Sequence, residues 1–400
     1  MKITIINTLY YPYRLGGAEV SVQVLAESLV KRNVEVTVLT LHEGKNLKID
    51  SVNGIKIYYL PLLNCYWPYD SSEHSKIHRL QWHIKDLYNR KMVKLVNTIL
   101  QDLRPDIVHT NNLSGFSVGV WRVLRKMNIP IVHTTRDYYL FHPNSTLFKN
   151  GKNIKPTNIF VKLNVLYKKY MSQDVDAFIG ISKYISDFHY RFGFANKGLH
   201  GYIYNPVLKP NITISHNNID KITIGYIGRL TSDKGFDDYI NIAQKYQACK
   251  FVAAGKPDAS EESKDLLKKA KKSNVEILGY IPVDEFLNKV DAVLLPIKWN
   301  EPFGRVVVES ALAYKPVYTN YVGGITEISS FFPWVKDIHS FDEQELKSTI
   351  SSVMQTLRDK QNPFCSEIHV DNYLKIYNKI VKNNNCLLYT SDAADELDGV

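Results

Sequence analysis

Two cations follow a short apolar segment in the second half of the sequence. Arg229 comes directly after Gly228, and Lys234 follows five residues later. An arginine presents a fork of N–H donors that matches phosphate oxygens, and a lysine supplies a compact positive charge. The spacing predicts a loop that holds a phosphate or a diphosphate. Taken alone, the same residues also fit an ordinary solvated loop.

Two glutamates follow another apolar segment, residues 292–295. Glu301 falls in the loop after it, and Glu309 falls one to two turns into the helix that Gly304 is expected to open. Carboxylates accept hydrogen bonds from sugar hydroxyls, and the free N–H groups of a helix N-terminus suit a phosphate. Two glutamates eight residues apart mean little by themselves. Their placement after one strand is what indicates a site.

A pair of glycines precedes the first helical pattern of the chain. The sequence reads Gly16-Gly17-Ala18-Glu19, and glycines at this position let the backbone approach a phosphate closely. A plain tight turn would use the same residues. Neither GxGxxG nor GxxxxGK[ST] occurs, which argues against dinucleotide-dependent enzymes and P-loop phosphotransferases.

The elements that must position these residues are short strands alternating with amphipathic helices, a pattern typical of parallel sheets with helices on both faces. Strands are predicted at residues 3–6, 36–39, 107–109, 131–134 and 178–181, and then at 222–227, 251–254, 275–278, 292–295 and 317–319. Two such series predict an α/β protein of two doubly wound, Rossmann-like domains that face each other across a cleft, since ligands bind at the carboxyl ends of open parallel sheets.

We expect the N-terminal domain to span residues 1–205 and the C-terminal domain residues 206–385, with a last helix at about 366–382 that can pack back on the first domain. The join is expected between Tyr204 and Asn218. Residues 386–400 resemble a reading-frame translation of a sequencing adapter, so we interpret them as an assembly artefact and leave them out of the fold prediction.

Composition and charge limit the classes of protein. The 400 residues are 44% hydrophobic and 22% charged, and no secretory signal or membrane-spanning segment is predicted, so we expect a cytoplasmic protein. Residues 1–205 carry 27 Lys and Arg against 14 Asp and Glu, whereas residues 206–400 carry 23 against 26. A basic N-terminal half indicates an anionic partner or a merely soluble surface, and no nucleic-acid-binding motif accompanies it.

Metal sites are not predicted. The four cysteines are scattered, and the three histidines of one helical segment, His74, His78 and His83, lack acidic partners. Asp174-Val175-Asp176 has a DxD pattern that binds metal ions in other enzymes, but here it precedes the strand predicted at residues 178–181 and the surrounding pattern differs from theirs. We therefore expect neither a metal ion nor another cofactor.

Taken together, these motifs over residues 1–381 resemble the retaining nucleotide-sugar glycosyltransferases of family 4, which have the GT-B fold. The resemblance implies that Arg229 and Lys234 neutralise a donor diphosphate and that Glu301 holds the donor sugar. It further implies that Gly228 and the backbone N–H groups of Phe303 and Gly304 contact the donor. Glu309 would hold the ribose, and Gly16 and Gly17 would close over the phosphates.

One position departs from the family. Where members usually read Leu-His-Asp-Tyr, this chain reads Thr135-Arg136-Asp137-Tyr138. Arg136 can stabilise a phosphate or a hydroxyl, but an arginine cannot act as a general base near neutral pH. We place Arg136 with the catalytic residues and Asp137 and His133 on the acceptor side, although His133 also fits a structural role in its strand.

The expected reaction is metal-independent transfer of a hexose or related sugar, with retention, to a surface polysaccharide such as capsule or lipopolysaccharide, or to a lipid-linked saccharide. Lysines and aromatic residues interleave over residues 149–170, which suggests peripheral contact with the inner face of an anionic membrane; an ordinary solvated helix is the alternative. The competing hypotheses are an epimerase or a phosphorylase of the same fold, and a sugar-nucleotide-binding or membrane-scaffold protein impaired by Arg136.

Overall fold

The computed structural model describes residues 1–13, 16–69, 74–212, 222–258, 260–355 and 362–395, with side chains at 160, 354–355 and 383–395 left undescribed. The chain forms two units. The first contains Met1–Ser145, Pro156–Pro206 and the segment from Cys365; the second contains Thr146–Lys155 and Val207–Phe364. Residues 213–218 of the predicted join and residues 396–400 of the interpreted artefact lie outside the described residues.

The first unit is built on an eight-stranded sheet of order β10-β9-β6-β5-β1-β2-β4-β3. Its strands are β1 (Lys2–Ile6), β2 (Glu35–His42), β3 (Lys48–Val52), β4 (Ile55–Pro61), β5 (Ile107–Thr110), β6 (Ile131–Thr135), β9 (Ala177–Gly180) and β10 (Leu199–Tyr202). All neighbours pair in parallel except the edge strand β3, which runs antiparallel to β4. Every residue of β5, β6 and β9 is buried, as expected for parallel strands covered on both faces.

The helices of the first unit follow the strands. They are α1 (Gly17–Lys31), α2 (Lys76–Leu87), α3 (Arg90–Leu103), α4 (Gly119–Lys126), α5 (Ile159–Ser172), α6 (Lys183–Arg191) and α13 (Ser366–Asp395). Ser182 caps α6 by accepting a hydrogen bond from the Ile185 N–H.

The second unit has a six-stranded parallel sheet of order β13-β12-β11-β14-β15-β16. Its strands are β11 (Thr223–Ile227), β12 (Lys250–Ala254), β13 (Val275–Gly279), β14 (Ala292–Leu295), β15 (Val317–Thr319) and β16 (Val335–Asp337), with a separate hairpin of β7 (Phe148–Lys149) and β8 (Lys152–Asn153). Its helices are α7 (Phe236–Lys245), α8 (Glu261–Lys271), α9 (Val283–Leu287), α10 (Arg305–Leu312), α11 (Ile325–Ile328) and α12 (Glu343–Gln355), with 3₁₀ turns at Ser329–Phe331 and Ile338–Ser340.

Helix α13 returns to the first unit and completes its core. Val370, Tyr373, Tyr377 and Ile380 pack in one cluster with the apolar face of α1 and with β1 and β2. The Tyr377 hydroxyl lies 2.7 Å from Nδ1 of the buried His109, whose Nε2 lies 2.7 Å from Thr134 Oγ1. The last helix therefore supplies a polar partner inside the core as well as apolar surface.

Each of the ten predicted strands is present, and both sheets have the predicted parallel, helix-covered form. The sequence analysis missed the edge strands β3, β10 and β16, which are short and only partly buried and so lack a continuous apolar run. It also missed β4, whose alternation is clear in Ile55, Ile57 and Tyr59.

Candidate active site

The loop after β11 is fixed from inside the second unit. Tyr226 is buried, and its hydroxyl donates to the carbonyl of Arg229 at 2.7 Å, with the Lys234 carbonyl at 3.4 Å. The Gly228 N–H donates to the Ala254 carbonyl at the end of the neighbouring strand. The Tyr226 hydroxyl therefore holds the backbone at both predicted cations, Arg229 and Lys234. The Arg229 side chain is half exposed and pairs with Asp233 at 2.8 Å.

Lys234 and Glu301 form an ion pair with 2.5 Å between Nζ and Oε2. The Lys234 ammonium also lies over the ring of Trp299, 4.7 Å from its centroid. Both charged side chains are largely buried, so each is oriented by a specific partner. The structure therefore brings together two of the residues predicted from separate motifs, at the carboxyl ends of the adjacent strands β11 and β14.

Glycines allow the surrounding loops to approach each other. Gly235 has φ +78°, and a Cβ there would lie 1.8 Å from the Pro296 carbonyl oxygen. Gly323 has φ +59°, and a Cβ there would lie 2.3 Å from the carbonyl oxygen of Glu301, which also accepts the Gly324 N–H at 2.7 Å. Larger residues at either glycine would displace the backbone that carries Lys234 or Glu301.

Helix α10 begins beside Glu301. Gly304 is its N-cap with φ +86°, which confirms the predicted helix start and leaves the first N–H groups of the helix at the end of the Glu301 loop. Phe303 is buried just before it. Glu309 accepts a hydrogen bond from Arg305 Nε at 2.8 Å, and burial raises the pKa of Glu309 against the opposing effect of that arginine. This helix end suits an anion.

The first unit contains a cavity of about 450 Å³ at the end of its sheet. Its walls come from the loops after β1, β4, β5 and β6, from the start of α1, and from the inner faces of α2 and α5. They carry aromatic rings together with carboxylates, amides and one lysine. Among the residues that line it are Gly16, Gly17, Trp82, Asp86, Asp137, Tyr139, Asn164 and Lys168.

Three charged side chains line this cavity: Asp86 and Lys168 are buried, and Asp137 is partly exposed. Asp86 accepts hydrogen bonds from the Gly115 N–H at 2.6 Å and from the Tyr139 hydroxyl at 2.8 Å. Lys168 donates to the Tyr139 carbonyl at 2.7 Å and lies over its ring. Burial raises the pKa of Asp137 to about 6 and lowers the pKa of Lys168 to about 8, with the Asp86 and Asp137 carboxylates opposing the shift of the lysine.

The Gly16-Gly17 segment borders the same cavity. The Gly16 N–H donates to Oε2 of Glu19 at 2.9 Å, which closes the first turn of α1. A methyl group on Gly16 would meet only the Glu19 carboxylate, at 3.8 Å. Packing within this unit therefore does not require glycine here, and a side chain at this position would project into space at the cavity rim.

Arg136 points into the interior of the first unit. Its Nε donates to Asn111 at 3.0 Å and its Nη1 to Asn205 at 2.6 Å, while Nη2 has no hydrogen-bond partner among the described residues. The guanidinium is buried, and burial lowers its pKa. In this structure the arginine joins the ends of β5 and β6 to the segment after β10, and it does not line the cavity.

His133 also lies in the core and not at the cavity. Its Nδ1 is 3.0 Å from Thr110 Oγ1, and its ring packs against Trp121 and Phe178. Burial lowers the pKa of His133 to about 3, so the imidazole is neutral near pH 7. Of the two residues predicted on the acceptor side, Asp137 faces the cavity and His133 does not.

The DxD aspartates are held by arginines. Asp174 pairs with Arg122 at 3.2 Å, and Asp176 pairs with Arg125 at 3.3 Å and accepts the Ile131 N–H at 2.8 Å. Across residues 1–395, apart from the gaps given above, no group of three His, Cys, Asp or Glu side chains is arranged to hold a metal ion.

Both halves of the chain match known families. Residues 15–207 match "Glycosyltransferase Family 4", and residues 210–355 match "Glycosyl transferases group 1". The chain is a family 4 glycosyltransferase. The resemblance noted from the motifs is therefore confirmed.

Two relatives align with most of this glycosyltransferase. A Klebsiella pneumoniae protein described as an uncharacterised 42.6 kDa protein in the cps region is 45% identical over 380 residues, covering 94% of this chain and 100% of the relative. An uncharacterised glycosyltransferase of Methanocaldococcus jannaschii is 24% identical over 363 residues and 82% of each chain.

Solved structures confirm the GT-B fold. Sucrose-phosphate synthase of Thermosynechococcus elongatus has a TM-score of 0.67 at 14% identity and covers 96% of this chain and 99% of its own. HepE of Anabaena, solved in complex with UDP, has a TM-score of 0.60 at 18% identity over 98% of this chain and 100% of its own. At these identities the likeness establishes the fold alone.

Some residues of the site were not identified from the sequence. Asp86, Trp82 and Lys168 line the cavity, and Asn111 holds Arg136. Asp86 had a visible signal, since it is the only carboxylate between residues 74 and 101 in an otherwise basic stretch. Lys168 had none, because it is one of six lysines between residues 149 and 170.

Proposed function

We propose that this glycosyltransferase moves a sugar from a nucleoside diphosphate sugar to a saccharide of a bacterial surface polysaccharide, or to its lipid carrier, with retention and without a metal ion. The Lys234–Glu301 ion pair beside the N-terminus of α10 carries the proposal. It combines a cation, a carboxylate and helix N–H groups, which are the groups that a sugar diphosphate requires.

Each predicted donor residue has a role in this proposal. Arg229 and Lys234 neutralise the diphosphate together with the N–H groups at Phe303 and Gly304. Glu301 accepts hydrogen bonds from the hydroxyls of the donor sugar, and Glu309 from the ribose. The ion pair with Lys234 orients Glu301 before the donor arrives, so the site is organised in advance.

The cavity of the first unit is the proposed acceptor site. Aromatic rings and carboxylates are the usual partners of sugar faces and hydroxyls, and Asp137 and Asp86 supply the carboxylates there. Because the pKa of His133 is low and the residue is enclosed, we assign it no proton-transfer role. Gly16 and Gly17 leave room at the rim for a phosphate.

The proposed reaction breaks the bond between the anomeric carbon and the β-phosphate oxygen and forms a bond from the acceptor oxygen on the same face. The acceptor proton passes to the leaving phosphate, so the protein supplies position and charge stabilisation and no side-chain base. Exclusion of water from the closed site limits hydrolysis of the donor.

The relatives support the choice of pathway and donor class. The Klebsiella protein lies in the cps region, which favours a capsular polysaccharide. HepE is described in complexes with UDP, with UDP and glucose, and with UDP-glucose, which makes uridine donors the first to test.

The test is release of free nucleoside diphosphate from UDP-, GDP- and ADP-sugars, with and without saccharide acceptors and with a chelator present. Acceptor-dependent release that resists the chelator is expected, with the α or β configuration of the donor retained in the product. Release that needs inorganic phosphate would indicate a phosphorylase, and interconversion of the donor without release an epimerase. Nucleotide binding without turnover by any donor would support the impaired scaffold.

A further inference from the structure

Helix α2 presents an apolar stripe to solvent. Ile77, Leu80 and Ile84 follow each other at three and four residues, which places them on one face, and the exposed Tyr88 comes directly after the helix. In a surface helix of a folded domain such a stripe ordinarily faces the core. Here the core side is taken by Trp82 and the buried Asp86, so the stripe points outward.

Helix α5 carries a second stripe of the same kind. Ile159, Leu163, Leu166 and Tyr170 recur at four and three residues along one face. Together with the three aliphatic residues of α2, these side chains are between 60 and 69% exposed. Large apolar side chains grouped on a surface mark an interaction site.

A ring contact and a shared cavity link the end of α2 to α5. The rings of Tyr88 and Tyr167 are in edge contact with centroids 6.4 Å apart, and Trp82 of α2 and Lys168 of α5 line the same cavity. We call the combined surface the α2/α5 face. It consists of Ile77, Leu80, Ile84, Tyr88, Ile159, Leu163, Leu166 and Tyr170.

Among the described residues of α2 and α5, the exposed charges beside the α2/α5 face are basic, and the carboxylate of Asp174, beyond the end of α5, is paired with Arg122 next to Tyr170. Lys76, Arg79, Arg90 and Lys162 are exposed beside the stripes. The carboxylate of Asp86 is the only one between residues 74 and 101 and is buried, and residues 138–173 contain none. A second copy of this chain would bring two basic rims together, which costs free energy, whereas an anionic surface complements them.

We propose that the α2/α5 face docks on an anionic lipid bilayer and that the acceptor is a lipid-linked saccharide whose sugar enters the cavity on the inner side of the same two helices. The proposal rests on the proposed function, because it names the class of acceptor. Isoleucine, leucine and tyrosine side chains enter the headgroup region, and the basic rim contacts anionic headgroups.

The thickness of a helix makes this arrangement suitable for such an acceptor. A helix with its side chains is about 10 Å across, so the cavity lies roughly one helix diameter from the docked surface. A saccharide can then occupy the cavity while its lipid remains in the membrane. The binding energy of the face would hold the enzyme at the plane in which its acceptor is confined.

Only part of the segment predicted to contact a membrane, residues 149–170, belongs to this face. Phe148, Lys149 and Lys152 belong to the β7–β8 hairpin of the second unit, where Asn153 donates to the Lys298 carbonyl at 3.2 Å. Only the part from Ile159 onward contributes to the α2/α5 face. The partner of that part is α2, for which no membrane contact was predicted.

The experiment is co-sedimentation of the full chain with vesicles of phosphatidylglycerol and phosphatidylethanolamine, compared with vesicles of phosphatidylcholine. The double variants Leu80→Ser/Ile84→Ser and Leu163→Ser/Leu166→Ser are each expected to weaken binding to anionic vesicles at least about tenfold. Replacing Arg79 or Lys162 with Gln is expected to weaken it about fivefold each and to reduce its salt dependence.

The matched control is Leu47→Ser/Ile49→Ser, which removes two exposed apolar residues at β3 of the same unit. This variant is expected to bind vesicles like the parent. Equal vesicle binding by all three double variants would overturn the proposal. So would a parent dimer that the α2 or α5 variants convert to monomers, seen by light scattering after gel filtration, without a change in vesicle binding.

Acceptor assays separate this proposal from the proposed function. Transfer to a lipid-linked saccharide in anionic vesicles should fall in the α2 and α5 variants, while transfer to a water-soluble saccharide at the same donor concentration should be retained. Transfer to both acceptors by the parent, with equal activity in the variants, would reject the α2/α5 face alone. Absence of transfer from any donor would instead reject the proposed function.

Discussion

Lys234 Nζ and Glu301 Oε2 lie 2.5 Å apart although 67 positions separate the two residues. Strands β11 and β14 are neighbours in the sheet, so the loops at their carboxyl ends meet. The pair places a cation and an anion next to the N-terminus of α10, and neither side chain is free to turn away without leaving the other uncompensated.

Removing either member of this pair should abolish most of the turnover. Lys234→Ala and Glu301→Ala are each expected to lower kcat/KM for the donor by about 10²–10³, the usual effect of losing one preorganised electrostatic group. The control is Lys298→Ala, a lysine of similar exposure in the same loop that pairs with Asp237 and Asp238. Near-parental rates in both Ala variants would show that the reaction occurs elsewhere.

Gly235 should tolerate no side chain. An added Cβ would collide with the Pro296 carbonyl, and φ +78° is unfavourable for any other residue. Gly279 has a similar φ of +71°, but nothing lies within 4 Å of its Cβ position. Gly279→Ala therefore measures only the cost of a positive φ in a residue other than glycine, about 1–2 kcal/mol. Thermal denaturation should therefore show a larger fall in Tm for Gly235→Ala than for Gly279→Ala. Equal falls would mean that the loop adjusts freely.

The pH dependence of transfer should reflect the acceptor cavity. Asp137 ionises as pH rises through about 6, and Lys168 loses its proton as pH rises through about 8. If acceptor binding needs the carboxylate and the ammonium, kcat/KM for the acceptor falls below the first value and above the second. Asp137→Asn should lower the maximum and remove the acid limb. An acid limb that persists in this variant would assign it to another group.

We expect Arg136 to stabilise the fold of the first unit and not to take part in the reaction. Arg136→His cannot reach Asn111 and Asn205 together, so the free energy of unfolding is expected to fall by about 1–3 kcal/mol. Turnover should not rise. Denaturant unfolding and a donor assay on the same preparation measure both quantities. Higher turnover in Arg136→His than in the parent would instead support the impaired-scaffold hypothesis.

Local patterns were sufficient to predict the architecture. Strands such as β11 and β14 are unbroken apolar runs, and glycines such as Gly304 mark where a helix begins, so strand positions and the helix cap were accessible without coordinates. The family motifs also located Lys234 and Glu301. Their direct pairing was not predictable, because it depends on which strands are neighbours.

Several residues of the acceptor cavity could not be identified from the sequence. Asp86 lies in the last turn of α2 and Lys168 near the end of α5, and only the packing of both helices against the loop after β6 brings them to Tyr139. Arg136 was judged by its position in a motif. Its partners Asn111 and Asn205 follow β5 and β10, and neither spacing nor composition connects them to it.

The position of helix α13 in the sequence affects the order in which the two units can fold during synthesis on the ribosome. Tyr373 and Tyr377 belong to the first core, yet they are translated after the whole second unit. At a translation rate of about 5–20 residues per second, α13 is synthesised roughly 10–30 s after the N-terminal half. During that time an apolar face of α1 is uncovered and His109 lacks its partner Tyr377. The part of the chain that emerges first is therefore the part that finishes folding last, and in the cell it would be a substrate for chaperones during that interval.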